Sequence, residues 1–522
     1  MHPHPSTLPL PTPPLSKGVD ARADGGLSCA LTCPPPVETF APPRPAPAPP
    51  APRAAVRADA LDALRGFAIL MMVLSGIIPF GVLPAWMYHA QVPPPAHAFV
   101  PTLAGITWVD LVFPFFLFAL GAAIPLAGLA RLERGAAPGA LVRGALARGG
   151  LLLFFAVFTA HVRPWAFDGG HEYTLPNAAG PWLVALAGFA CLWAVFWRAP
   201  LGWPRAWRTS VRAAGWAGAL VILALVRYPD GSGFRVSRYD IILVVLANMA
   251  AVGGGLWIGT RARPFARWGA LVLLAAAILG GREPGWMQPV MDWKPVEGLF
   301  RPYYLKYLFL VIPGTFAGER LWAWLRDASG DTPAWARSHP AALALLGVAL
   351  QAVVVVGLFA RAVPLTAALA GALLAAGWAL TARPGDADER LAAWLWRSGA
   401  FWLVLGFVAE PFEGGIKKDN STFSYYFVTA GLAHALLAAL FVLGRRFGAR
   451  ARVVEANGQN PMLAYVAFHN LVLPLLTLTG AAAAISAATE APWVGFGRGA
   501  AYTALTAVVV WVATRRGWVW RS

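Results

Sequence analysis

Fourteen apolar runs, separated by short basic loops, leave few folds open to this chain. A helix that crosses the hydrocarbon core of a bilayer needs about 20 mostly apolar residues, and most of the runs approach that length. The runs lie near residues 66–84, 104–129, 141–160, 181–197, 213–226, 240–259, 268–281, 303–319, 341–360, 364–381, 398–410, 425–443, 461–481 and 498–514.

The runs at 213–226, 268–281 and 398–410 are short, so that re-entrant or buried segments are the alternative to spanning ones there. Composition agrees with a membrane protein, because only 13% of the residues are charged. A soluble domain carries about 25%. We therefore predict an all-α, polytopic integral membrane helical bundle with 11–14 transmembrane helices.

The net charge of +17 follows the loops rather than one surface. Alternate loops, beginning with the one after the second run, hold twice as many Lys and Arg residues as the other set. Such a bias marks the cytoplasmic side of a membrane protein. The pattern predicts the cytoplasmic (inner) membrane as the location, with both termini in the cytoplasm. It argues against nucleic-acid binding, and it makes the lipid bilayer the expected partner.

The first 56 residues differ from the rest of the chain. Residues 1–56 are rich in Pro and Ala and cannot bury a core, which predicts a disordered cytoplasmic tail. They show no signal-peptide pattern. Cys29 and Cys33 form a pair without a nearby His-rich partner, so we expect no metal site. Residues 57–522 form the predicted membrane domain.

Polar motifs of mixed chemistry gather at the ends of the runs. The first motif reads Leu61-Asp62-Ala63-Leu64-Arg65-Gly66, and a predicted outer loop with His89 and His97 follows. The second reads Gly105-Ile106-Thr107-Trp108-Val109-Asp110-Leu111-Val112-Phe113-Pro114. Two later segments read Ile416-Lys417-Lys418 with Thr422-Phe423-Ser424-Tyr425, and Gly458-Gln459-Asn460-Pro461 with Tyr465. Motifs for other enzyme classes, such as a Walker loop, a GxSxG elbow or HExxH, are absent from the sequence.

Together these motifs resemble the heparan-α-glucosaminide N-acetyltransferase family, in the same order and over about residues 57–515. The resemblance implies a membrane-bound acyltransferase. It would move an acetyl group from cytoplasmic acetyl-CoA, its donor substrate, to an amino or hydroxyl group of a sugar or glycan on the outer side of the membrane. The resemblance also implies a catalytic His in the first outer loop.

Histidine suits acetyl transfer, because its unperturbed pKa near 6.5 lets it act as a base or as a transient acetyl carrier. Two residues fit the family position. His97 lies closer to the Gly105-Ile106-Thr107 motif, whereas His89 follows the aromatic approach Trp86-Met87-Tyr88. A third alternative is that neither acts, and that each hydrogen-bonds in an interfacial loop.

Other residues complete the predicted site. Asp110 is expected to assist the His, or alternatively to serve as a first-turn helix charge. Ser75 stands where the family has an Asn, which leaves the acceptor open. Acceptor contacts are expected from Ser75, Thr107, Lys418, Asn420 and Asn460. The alternative for Lys418 and Asn420 is a solvated loop, and the alternative for Asn460 is a contact between helices. Asp62 and Arg65 are expected on the cofactor side, or as an anchor with a local ion pair.

Rival functions stay open on the sequence alone. A transporter or flippase for a sugar or lipid-linked intermediate would also use many helices with a polar interior. A membrane scaffold or sensor without chemistry is a third alternative. A cavity that gathers the outer histidines and also opens to the cytoplasm would favour transfer over transport. The patterns leave the acceptor, the acyl chain and assembly into a homo-oligomer open.

Overall fold

The computed structural model describes residues 58–168, 178–199, 202–296, 298–327 and 339–522. The predicted tail, residues 1–56, lies outside the described residues. Within them the chain forms helices and no strand, only two isolated bridges. The predicted all-α class is therefore confirmed.

Nineteen α-helices make up the described part of the chain. They are α1 Asp59–Ser75, α2 Val109–Leu132, α3 Pro138–His161, α4 Ala179–Phe196, α5 Arg205–Leu225, α6 Ile241–Asn248, α7 Gly254–Thr260, α8 Pro264–Gly280, α9 Met287–Met291, α10 Leu308–Asp327, α11 Pro340–Phe359, α12 Val363–Leu380, α13 Ala387–Ala409, α14 Phe423–Phe447, α15 Arg452–Gln459, α16 Pro461–Ala467, α17 Leu473–Leu478, α18 Ala481–Ala488 and α19 Pro492–Arg515. Short π-helical segments, Met249–Gly253 and Phe468–Val472, join α6 to α7 and α16 to α17.

Every predicted apolar run overlaps a helix, although the first run, 66–84, is helical only as far as Ser75. Among the described residues, ten helical segments are long and apolar enough to cross a membrane. They include α6 to α7 and α16 to α17, each taken as one continuous segment through its π-helical turn. Four further runs, in α1, α5, α8 and α10, fall outside this set. The chain is therefore a polytopic helical membrane protein, as predicted.

The four remaining helices differ from the ten in length or charge. Helices α1 and α8 have 17 residues each. Helix α5 starts with a basic turn, and α10 carries Glu319 and Arg320 in its second half. The first half of α10 is buried against α2. A side chain on Gly121 of α2 would overlap the backbone of α10, and one on Gly314 of α10 would overlap the backbone of α2. Small residues that let helix backbones approach closely are typical of membrane bundles.

Two named sequence motifs meet where α1 begins. A side chain on Gly66 would overlap the carbonyl of Val454, and one on Gly458 would overlap the carbonyl of Asp62. Helices α1 and α15 therefore touch through their backbones. We call this end of the bundle, where α1 begins, the arginine end. The opposite end, where α1 stops and α2 starts, is the histidine end.

Candidate functional site

A cavity of about 600 Å³ opens at the histidine end, and we call it the histidine cavity. Its walls come from the end of α1, the loop between α1 and α2, the start of α6, and α16. Both candidate histidines line it, together with Ser75. The structure thus brings together three of the residues that the sequence singled out.

His89 and Asp110 form the one histidine–carboxylate pair found among the described residues. His89 Nδ1 lies 2.6 Å from Asp110 Oδ1. The Asp110 side chain is fully buried, whereas 40% of the His89 side chain is exposed. A neutral imidazole whose Nδ1–H donates to a carboxylate presents its Nε2 as an acceptor. This pairing therefore favours the tautomer in which Nε2 can accept a proton, on a residue that lines the histidine cavity.

Local structure explains why Asp110 can be buried as a carboxylate. It stands in the first turn of α2, where the helix dipole favours negative charge. Its Oδ2 accepts the backbone N–H of Thr107 at 2.9 Å and that of Ala90 at 3.2 Å. Buried charges persist when they are paired and hydrogen-bonded. The Gly-Ile-Thr-x-x-Asp spacing therefore places the carboxylate and the donor that holds it in one turn.

Lys418 completes the group around His89. Its Nζ lies 3.1 Å from each ring nitrogen of His89. The loop that carries it, between α13 and α14, is joined to the α2 motif because Gly105 N–H donates to the carbonyl of Ile416 at 2.9 Å. The hydroxyl of Tyr425 also donates to the backbone carbonyl of Asp110 at 2.6 Å. Two motifs far apart in sequence therefore meet at one imidazole.

His97 lies in the same cavity in a different setting. Its backbone is left-handed, with φ of 47°, and its ring packs edge-on against Tyr88 and Phe80. Its Nδ1 is buried, and the described residues offer it no hydrogen-bond partner. The geometry of a base therefore belongs to His89, whereas His97 forms part of an aromatic wall.

The remaining predicted acceptor contacts occupy varied places. Ser75 lines the histidine cavity and donates to the carbonyl of Met72 at 2.8 Å. Thr107 is buried behind Asp110, and its hydroxyl donates to the carbonyl of Tyr88 at 2.7 Å. Asn420 is exposed and lines a different pocket.

Asn460 is held away from the histidine cavity. It is fully buried at the arginine end, where its amide donates to the carbonyl of Trp518 at 2.9 Å. Its side-chain oxygen accepts the backbone N–H of Trp520 at 3.1 Å. These bonds fasten the C-terminal segment, which is a structural role in place of the expected substrate contact.

A polar cluster in the wall of the histidine cavity was not identified from the sequence; it is formed by Arg163, Asp240 and Tyr465. Tyr465 donates to Asp240 Oδ2 at 2.6 Å, and Arg163 forms an ion pair with the same carboxylate. Burial disfavours the Arg163 charge, but the Asp240 carboxylate outweighs it and raises the pKa of the guanidinium. The sequence carries a signal for two of the three residues in this cluster. Asp240 stands at the start of an apolar run, as the N-cap of α6, and Tyr465 belongs to the Gly-x-Asn segment.

A second cavity of about 250 Å³, the arginine cavity, lies at the other end. Arg65 and Arg148 line it. Arg65 donates to the carbonyl of Gly458 at 2.9 Å and lies 3.6 Å from Asp62. Arg148 has a buried Nε without a hydrogen-bond partner among the described residues. Guanidinium groups in a cavity that also has apolar walls suit a ligand with phosphate at one end and an apolar arm.

The two cavities share part of their walls. Met72, Ile242 and Tyr465 line both of them. The arginine cavity and the histidine cavity therefore lie back to back along α1, and the Arg163–Asp240–Tyr465 cluster stands at their junction. Within the described residues no group of three or more His, Cys, Asp or Glu side chains could hold a metal ion.

Comparison with known families gives one match. A family model described as a domain of unknown function (DUF5009) matches residues 57–322, which is just over half of the chain. The matched range includes His89, Asp110, Arg65, Arg148 and Asp240. No curated protein matches the chain.

Proposed function

We propose that this chain, which belongs to the DUF5009 family, is a membrane-bound acyltransferase of the inner membrane. It would take an acetyl group from acetyl-CoA at the arginine end and pass it to an amino or hydroxyl group of a sugar or glycan at the histidine end. The charge bias of the loops supports a cytoplasmic position for the arginine end. The motifs shared with the heparan-α-glucosaminide N-acetyltransferase family support the same reaction.

One observation carries the proposal. A histidine–carboxylate pair lines a cavity that shares part of its wall with a second cavity lined by three arginines, Arg65, Arg148 and Arg521. Transfer across a membrane needs both access routes and a proton-accepting group where they meet. A pantetheine arm entering past Arg65 and Arg148 would reach the histidine cavity at Met72 and Tyr465.

His89 is the proposed general base. With Nδ1–H donated to Asp110, Nε2 takes the proton of the acceptor as the acceptor nitrogen or oxygen attacks the thioester carbonyl carbon. The new C–N or C–O bond forms and the C–S bond breaks. The leaving thiolate takes the proton from the imidazolium, so that His89 returns to its neutral form and CoA departs as the thiol.

Lys418 is the proposed partner of the developing negative charge. Its ammonium lies 3.1 Å from Nε2 of His89. From there it would reach the thioester carbonyl oxygen as that oxygen becomes an oxyanion. Preorganised donors at that position are among the largest contributions to acyl transfer. Lys418 would therefore act on the transition state, whereas Asp110 acts through His89 as a positioning residue.

Transport is the second candidate, and a specific observation favours it. Two π-helical segments interrupt membrane helices, and an ion pair with a tyrosine stands between cavities that lie at opposite ends. Broken helices around a central site are typical of secondary transporters. In that case the Arg163–Asp240–Tyr465 cluster would act as a gate.

Acetyl transfer in purified, detergent-solubilised protein tests the proposal. We would supply radiolabelled acetyl-CoA and a panel of amino sugars, and follow both labelled product and free CoA thiol. His89→Ala is expected to lower transfer by about 10²- to 10⁴-fold, the usual contribution of a general base. His97→Ala is expected to retain most of the activity. His339→Ala, an exposed histidine outside both cavities, is the matched control.

The outcomes separate the two candidates. Transfer that His89→Ala abolishes and His339→Ala preserves would support the enzyme. A labelled protein that accumulates without an acceptor would make His89 a covalent carrier instead of a base. Absence of product, of labelled protein and of CoA thiol, together with sugar uptake into proteoliposomes, would favour the transporter.

A further inference from the structure

A third pocket, which we call the lysine pocket, has a volume of about 550 Å³. It lies at the histidine end, between the C-terminus of α8, the segment that leads into α10 and the start of α14. Neither His89 nor Asp110 lines it, so it is separate from the histidine cavity. Five cationic side chains line it: Arg282, Lys294, Arg301, Lys306 and Lys417.

Lys306 is the central observation. Only 3% of the residue is exposed, yet the described residues give its ammonium no carboxylate within 4 Å. The Nζ lies 3.2 Å from the ring centroid of Tyr303. A cation–π contact offsets only part of the cost of burying an ammonium. A buried charge of this kind calls for a counter-charge.

A second cation in the pocket also lacks a polar partner. The Nε of Arg301 is buried and has no hydrogen-bond partner among the described residues. Its guanidinium carbon stands 5.9 Å from the Tyr304 ring centroid. Two cations on one loop therefore depend on aromatic rings in place of carboxylates.

The acids of the pocket do not balance its cations. Glu413 already accepts the backbone N–H groups of Phe423 and Ser424, at 2.9 and 2.7 Å, and lies 3.7 Å from Arg282. Among the described residues, Asp292 is the one other acid in the lining. Asp419 acts on Lys306 from a greater distance and pairs with Lys418 at 3.9 Å. An excess of positive charge remains.

We propose that the lysine pocket binds an oxyanion group, a phosphate or a carboxylate, of a ligand that arrives at the histidine end. The ammonium of Lys306 and the free Nε of Arg301 supply charged donors inside the pocket. The exposed amide of Asn420 and the more accessible Lys294 stand toward its mouth. Charge-assisted hydrogen bonds to an oxyanion are stronger than neutral ones.

The proposal goes beyond acetyl transfer and holds whichever of the two functions is correct. Two sources can present this chemistry, namely a soluble phosphate or carboxylate compound and an anionic lipid headgroup. Both would meet the same cations. The test therefore uses inorganic phosphate in detergent for the first source and nanodiscs of phosphatidylglycerol or phosphatidylcholine for the second.

The experiment measures the thermal unfolding midpoint of the full chain as phosphate replaces chloride at constant ionic strength. Phosphate is expected to raise the midpoint saturably, because a ligand that binds the native state stabilises it. Lys306→Met is expected to weaken the apparent affinity about tenfold, the size of one charged hydrogen bond. Lys294→Gln combined with Lys417→Gln tests the pocket through side chains nearer its surface if the Lys306 variant does not fold. Arg235→Gln, an exposed arginine outside the pocket, is the control.

A phosphate effect that both pocket variants weaken and Arg235→Gln leaves intact would support a soluble ligand. Stabilisation by phosphatidylglycerol alone, with the same dependence on the variants, would support a lipid headgroup. Equal responses of wild type and both pocket variants to both anions would overturn the proposal.

Discussion

The histidine cavity and the arginine cavity share a wall but differ in chemistry. The larger cavity is lined by two imidazoles, one of which contacts the buried carboxylate of Asp110 and the ammonium of Lys418. The smaller one holds guanidinium groups set in an apolar lining. An imidazole can exchange a proton near neutral pH, whereas a guanidinium keeps its charge.

This difference assigns proton transfer to one end of the bundle and anchoring to the other. The two ends are also built differently. Backbone contact between Gly66 and Gly458 fixes the arginine end, whereas side-chain hydrogen bonds to Asp110 hold the histidine end together. Substitutions at the two ends are therefore expected to change different kinetic constants.

Asp110→Asn is expected to have the largest effect. The amide keeps the size of the carboxylate, but it no longer fixes the His89 tautomer or stabilises the imidazolium. We expect kcat to fall by about a hundredfold or more, while KM for acetyl-CoA stays within about twofold. Steady-state kinetics with a sugar acceptor measure both constants.

Asp168→Asn is the control for this prediction, because Asp168 is an exposed carboxylate outside the cavity. A rise in KM for acetyl-CoA in the Asp110 variant would contradict the assignment of proton transfer to the histidine end and of acetyl-CoA binding to the arginine end. An unchanged kcat would remove Asp110 from the mechanism.

At the arginine end, Arg148→Gln is expected to change KM instead. Loss of one charged contact to a phosphate should raise KM for acetyl-CoA about tenfold with little change in kcat. Arg148→Lys should recover part of the loss, because it restores charge without the fork geometry. Arg134→Gln, an exposed arginine just after α2, is the control. A fall in kcat without a change in KM would contradict the anchoring role.

Hydropathy and motif spacing predicted the helices and the first motifs, because both depend on local sequence. The apolar runs predicted every helix that carries a site residue, and the Gly-Ile-Thr-x-x-Asp spacing pointed to Asp110. A short distance in sequence from that motif favoured His97, and the aromatic residues before it favoured His89. The structure pairs His89 with Asp110, because the loop turns back after Tyr88 so that Thr107 can donate to its carbonyl.

Contacts between distant segments could not be predicted in this way. Lys418 reaches His89 from a loop more than three hundred residues away, and Arg163 meets Tyr465 and Asp240 from three separate elements. A single sequence records no trace of which helix ends lie side by side. Asn460 is a polar residue within a motif, but its position does not follow from the motif. It lies outside the histidine cavity and fastens the C-terminal segment.

Tyr465→Phe tests the shared wall and should have a smaller effect. The substitution keeps the ring and removes the hydroxyl that donates to Asp240. We expect hydrolysis of acetyl-CoA without an acceptor to rise about threefold, since one hydrogen bond at the junction is lost and water gains access. Release of CoA thiol measures this leak. Tyr502→Phe, on α19 outside both cavities, should leave hydrolysis unchanged, and an equal leak in both variants would argue against a barrier at Tyr465.

The lysine pocket offers a final contrast with the arginine cavity, whose guanidinium groups are charged near neutral pH. The pKa of Lys306 is lowered to about 7, because burial and, to a smaller extent, Arg282 disfavour the charge more than Asp419 favours it. Native Lys306 is therefore charged below that pH and neutral above it. Sulfate, whose charge is constant, should lose affinity as the pH rises from about 6 to about 8, by up to about tenfold per unit.

The same shift has a consequence for stability without any ligand. The unfolded chain holds the Lys306 proton up to its ordinary pKa near 10.5, so between about 7 and 10.5 the unfolded state binds more protons. Stability should therefore rise with pH across that window in wild type, and less so in Lys306→Met. Sulfate titrations and unfolding midpoints of both proteins measure the two effects. A pH dependence that survives unchanged in Lys306→Met would place the titrating group elsewhere.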